Sequence, residues 1–159
     1  MEIKGTEIGK KFSKKWVFQN LNIHIANNEN LAILGPNGSG KSTLLKILSS
    51  AMLPDKGSIF WFHEGLQLKP DNVFQHINIA TPYVNLFEEF NLIECLSFHQ
   101  KFKAFPSNWT PEKLAAYAGL ENASSKPLKQ YSSGMKQRVK LLLALASESS
   151  LVLLDEPCS

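Results

Sequence analysis

Nine consecutive residues, Gly35-Pro36-Asn37-Gly38-Ser39-Gly40-Lys41-Ser42-Thr43, constrain this chain more than any other feature. They fit the spacing G-x-x-x-x-G-K-[ST]. Before them residues 31–34 (Leu-Ala-Ile-Leu) form an apolar run of strand length, and after them Leu44, Leu45, Ile47 and Leu48 recur at helical spacing. A glycine-rich turn between a buried strand and a helix lets successive backbone N–H groups point at one anion. Lys41 adds a mobile positive charge for the outer phosphates, and Ser42 offers a hydroxyl to a magnesium ion. The stretch therefore reads as a P-loop that binds a nucleoside triphosphate.

The remaining sequence must build a sheet around that loop. Residues 2–8, 16–18 and 21–25 alternate apolar and polar side chains with period two, which predicts an antiparallel sheet with His24 on its polar face. The helix after the loop is expected to end near Met52. Pro54-Asp55-Lys56-Gly57 is a turn by chemistry, and the β-rich run 58–62 should follow it as a second antiparallel strand. Residues 77–80 read as a strand stopped by Thr81-Pro82. From about residue 86 to 129 the pattern is helical, with Thr110 and Pro111 marking a helix start.

Tyr131-Ser132-Ser133-Gly134-Met135 is a small-residue turn that opens a helix carrying Val139, Leu142, Leu143 and Ala146 on one face. Ser132 and the first N–H groups there form either a second anion site or an ordinary cap. Residues 151–154 (Leu-Val-Leu-Leu) show no alternation, as expected of a parallel strand buried on both faces, and they deliver Asp155-Glu156 at its tip. A hard divalent cation on a triphosphate wants oxygen ligands, and an attacking water wants a general base, so the two carboxylates suit that chemistry.

Composition narrows the class. The chain has 159 residues, 43% hydrophobic and 19% charged, enough for one domain with a core. No apolar run spans a bilayer and no secretory h-region opens the sequence, so the expected location is cytoplasmic. Cys95 and Cys158 are too few and too far apart for a disulfide framework or a zinc site. A net charge of +3 with scattered lysines allows a nucleic-acid surface but does not indicate one, and no direct nucleic-acid partner is expected.

With the three motifs in this order, the whole chain resembles the nucleotide-binding subunit of ATP-binding cassette (ABC) transporters. The P-loop looks like Walker A, residues 131–135 like a variant of the signature LSGGQ followed by the retained Gln137-Arg138, and residues 151–156 like Walker B. The resemblance implies an α/β fold, a P-loop NTPase of ABC type in which a parallel core sheet carries an antiparallel β subdomain and a helical subdomain over about residues 83–130. It implies ATP and Mg2+ as cofactors. Gly35, Pro36, Asn37, Gly38, Ser39, Gly40, Lys41, Ser42 and Thr43 would bind nucleotide, with Phe12 stacking on adenine and Trp16 as the second candidate. Ser132, Ser133 and Gly134 would serve the nucleotide of a second ABC subunit. Ser42 and Asp155 would hold the metal, with Lys41 and Glu156 as catalytic residues and Glu156 as the base.

The implied partners are that second subunit and a membrane permease, which would place the protein peripherally on the inner face of the cell membrane as the ATPase of a transporter, expected to be an exporter. Alternatives are an ABC ATPase acting on ribosomes or DNA, and a nucleotide-dependent binding module without turnover. The 91 positions from Lys41 to Ser132 (132 − 41) match a transporter-sized insertion. Two departures bear on activity. Pro82 stands where the family has a metal-touching, permease-facing glutamine, and the sequence stops before the family's dimer-contacting aspartate and switch histidine. The expectation is a truncated cassette that binds ATP and hydrolyses it weakly.

Overall fold

The computed structural model describes residues 1–156, so Cys158 lies outside the described residues. The chain divides into two compact units, Met1–Ile77 and the residues from Asn78 onward.

In the first unit, strands β1 (Glu2–Phe12) and β2 (Lys15–Ile25) form an antiparallel hairpin, and β3 (Lys56–His63) pairs antiparallel with the other edge of β1. A short β4 (Leu66–Leu68) completes a sheet of order β2-β1-β3-β4. The expected antiparallel sheet is present. The two short runs expected at 16–18 and 21–25 are one strand, because register shifts on β1 absorb the break in alternation. Ile3 faces Ile25 on one side and Trp61 on the other, so the apolar phase of three strands converges on one buried layer. Helix α1 (Lys41–Leu48) buries Leu44, Ile47 and Leu48, and the buried Trp61 of that layer donates its indole N–H to the Leu48 carbonyl at 2.7 Å. The helix stops at Leu48, four residues short of the expected Met52. Its terminal carbonyls are already used there: Ser49 N–H donates to Leu45 and Ser50 N–H to Ile47.

The expected buried strand at residues 31–34 is absent. Leu31 is half exposed and Leu34 is 90% exposed. A strand exists through its ladder, and among the described residues no strand pairs with this segment.

The second unit contains β5 (Ile77–Ala80, the bounds expected, with Ile77 counted in the first unit), α2 (Leu92–Gln100), α3 (Pro111–Tyr117), α4 (Ser133–Ala146) and β6 (Leu151–Leu154). Each helix start is specified locally. Asn91 and Glu94 form a reciprocal capping box on α2, and Thr110 caps α3 ahead of Pro111. Leu92, Leu96, Leu114, Leu120, Leu128 and Val139 form the core of this unit. β5 and β6 form a two-stranded sheet, and the Asp155 N–H donates to the Ala80 carbonyl at 2.9 Å. That bond joins the C-terminal ends of both strands, so they run parallel. β6 was expected to be buried on both faces, but Leu153 is buried while Val152 and Leu154 remain exposed. One sheet neighbour covers too little of a four-residue strand to bury both faces.

Candidate functional site

The P-loop is exposed from Gly35 to Ser39 and half-buried from Gly40 to Thr43. Two glycines give it its shape. Gly38 (φ 80°) and Gly40 (φ 101°) lie in the left-handed region, and a Cβ on Gly40 would come 2.5 Å from Val17 Cγ1, so the loop rests against the start of β2. Gly40 is also the N-cap of α1. No side chain caps this helix and no acidic residue sits in its first turn, so its first N–H groups remain available to an external acceptor. The Lys41 ammonium folds back onto the loop and donates to the carbonyls of Gly35 (2.9 Å) and Pro36 (3.1 Å). Ser42 and Thr43 supply hydroxyls within the same turn. This donor set of uncapped amides, one ammonium and two hydroxyls fits a polyphosphate.

Phe12 ends β1 opposite Lys15, half exposed, with the Lys10 ammonium 6.0 Å from its ring centroid. Trp16 pairs with Lys11, whose ammonium lies 5.5 Å from the indole. Both aromatics therefore sit on the hairpin whose second strand carries Val17, the residue packed against Gly40.

The second unit holds the other expected site residues. Ser132 is the N-cap of α4, and its hydroxyl accepts from the Met135 N–H at 3.3 Å. Ser133 and Gly134 are exposed in the first turn, and no atom would meet a Cβ on Gly134 within 4 Å. With no acidic residue in that turn, α4 also presents an anion-compatible N-terminus. Asp155 follows β6 with only 4% of its surface exposed. A carboxylate at that strand end suits a cation. Glu156 next to it is exposed and adopts φ 47°, a conformation costly for a residue with a Cβ and often kept at working sites.

Arg138 has a role that sequence alone does not show. Its guanidinium donates to the carbonyls of Ala118 (2.9 Å) and Gly119 (3.3 Å), closing the end of α3. The one local signal is Gly119 itself, a glycine just past a helix end. Pro82 lies beyond β5, and its carbonyl accepts from the Lys140 ammonium at 2.8 Å. Among the described residues no cluster of three metal-binding side chains occurs, and no helix is long and apolar enough to cross a membrane.

The family model described as ABC transporter matches residues 18–159. This chain belongs to the ABC transporter family. It is 30% identical to a spermidine/putrescine import ATP-binding protein of Fusobacterium nucleatum over 99% of its own length and 43% of that protein. It is equally identical to the Nod factor export ATP-binding protein I of Burkholderia pseudomallei over 95% of this chain and 51% of that protein. The chain thus spans about half the length of these relatives. Among solved structures, an ATP-binding subunit of an ABC transporter superimposes with a TM-score of 0.81 at 25% identity, covering 99% of this chain and 67% of that one. A bacterial ABC transporter cassette solved as a dimer gives 0.77 at 25% identity, covering 98% and 74%. The ABC-type α/β fold follows from these likenesses.

Proposed function

We propose that this chain is the nucleotide-binding and hydrolysing part of an ABC transporter's ATPase subunit. The observation that carries the reading is the P-loop donor set, in which α1 starts without a side-chain cap beside the Lys41 ammonium. On binding ATP, the loop amides and Lys41 hold the β- and γ-phosphates, and Lys41 exchanges its two carbonyl partners for phosphate oxygens. Phe12 offers its exposed ring to the adenine. As the family resemblance implies, Ser42 and Asp155 would offer oxygen donors to magnesium, which when bound would neutralise charge on the phosphate oxygens. Glu156 takes the proton of the attacking water. Ser132, Ser133 and Gly134 act on the nucleotide of a second subunit, and a permease receives the resulting movement. On this reading residues 83–130 are a helical subdomain within one cassette, and the protein lies against the cytoplasmic face of the membrane through the permease. The export direction has support from the Nod factor relative and none from the spermidine/putrescine import relative.

Calorimetric titration tests the central step. Lys41→Ala should weaken ATP binding at least tenfold while leaving the circular dichroism spectrum unchanged, because Lys41 touches only exposed loop carbonyls. Unchanged ATP affinity in a folded Lys41→Ala protein overturns the reading.

A further inference from the structure

The segment after β5 carries Pro82 at the position where the resemblance calls for a glutamine, and proline has no side-chain donor or acceptor. Two side chains of α4 reach this segment instead. The half-buried Lys140 donates from Nζ to the Pro82 carbonyl at 2.8 Å, and Lys136 pairs with Glu88 at 2.6 Å. Four residues apart, the two lysines stand on one face of the helix. Together with Ser133 and Gln137 they line a cavity of about 270 Å³ whose other wall is Pro82, Val84, Asn85, Leu86 and Glu88. The far end of α4 is tied to the strand that leads into the same segment. Buried Asn78 on β5 donates to the carbonyls of Ala144 (2.9 Å) and Ser147 (3.0 Å), and accepts from Lys103 at 2.6 Å.

We propose that Lys140, backed by Lys136 and Asn78, is a positioning residue that locks the 81–88 segment onto α4. The segment and the helix start bearing Ser132, Ser133 and Gly134 then move as one body. This inference rests on the function proposed above, since it gives the Pro82 segment a route to the residues that act on the second subunit's nucleotide. The link runs through a backbone carbonyl, so it works although residue 82 has no polar side chain.

Hydrogen exchange in the natural protein without nucleotide tests the linkage. The Val84 amide donates to Thr81 at 3.3 Å, and the Met135 and Lys136 amides donate to the Ser132 hydroxyl and carbonyl. Lys140→Met keeps the aliphatic stem and removes the donor, and it should speed exchange at all three amides about tenfold. Lys140→Arg should restore protection, and Lys136→Met should have the smaller effect of an exposed pair. In the assembled transporter Lys140→Met should lower kcat about tenfold and leave the KM for ATP within about twofold, because Lys140 touches no nucleotide. If Lys140→Met does not fold, Lys140→Gln takes its place. Exchange unchanged, acceleration confined to Val84, no rescue by Arg, or an unchanged kcat each overturns the proposal. The exchange measurements contain no ATP, so they stand or fall separately from the Lys41→Ala titration.

Discussion

His99 shows how one side chain sets a pH limit on its unit. It sits on α2 with Nε2 2.6 Å from the Ser147 hydroxyl and its ring stacked on Phe105. Burial first, and the Lys103 ammonium second, hold its pKa below the ordinary value. The native state therefore binds a proton less readily than the unfolded chain. The stabilising contribution is fully present above about pH 6.5, the unfolded value, and is lost as pH falls toward the folded pKa. Urea midpoints at pH 7.5 and 5.5 should show an acid-side loss that His99→Gln reduces, and an equal loss in both proteins would refute the assignment. Sequence gives no hint of this environment. The residues of the candidate site are legible because each motif is contiguous: four fixed positions mark Lys41, and a small-residue turn before a helix marks Ser132. Lys140 and Pro82 lie 58 positions apart and Asn78 and Ala144 lie 66 apart, and no local pattern joins such partners.

Among the elements, helix starts are specified by neighbouring residues, whereas the burial of a strand depends on partners that a local pattern does not name. The capped starts of α3 and α4 are local, and both are present; the turn expected over 54–57 is instead occupied from Lys56 by β3, and the alternation of β1 breaks between Gly5 and Ile8. Residues 31–34 and the outer face of β6 needed neighbours that an apolar run does not specify. Gly57, expected to close a turn, is the second residue of β3, and the strength of the constraint on it is not legible in sequence. It has φ 79°, and a Cβ there would lie 2.3 Å from the Thr6 carbonyl oxygen and 2.4 Å from that of Glu7. Both obstacles are backbone of the paired strand, so neither can rotate away. Left-handed strain of about 1–2 kcal/mol and overpacking of about 1–3 kcal/mol make Gly57→Ala cost about 3 kcal/mol. Gly65 has the same φ with no atom within 4 Å of the added Cβ, so Gly65→Ala should cost only the strain. Urea unfolding of the two variants checks this, and equal costs would show that the contact with β1 is absent.

At the scale of the whole molecule, the two helix starts suited to anions belong to different compact units of one chain, α1 to the first and α4 to the second. Each lacks acidic residues in its first turn, and each carries residues that the family resemblance assigns to nucleotide. They differ in how they treat their own amides. α1 has no side-chain cap, whereas Ser132 spends its hydroxyl on the Met135 N–H through a long 3.3 Å bond that a stronger acceptor can displace. This difference suits a primary site at the P-loop and a completing site at α4, supplied by a second copy in the proposed ATPase. Subunit mixing in the natural full-length protein tests it. Lys41→Ala removes the primary site and Ser132→Arg fills the completing one, so each homodimer should be inactive. A heterodimer keeps one intact P-loop facing one intact α4, and should recover up to about half of the wild-type turnover per dimer, because the other pairing carries both lesions. If heterodimers form and turnover stays at the level of either variant alone, Ser132 does not act across subunits and remains only the cap of its own helix.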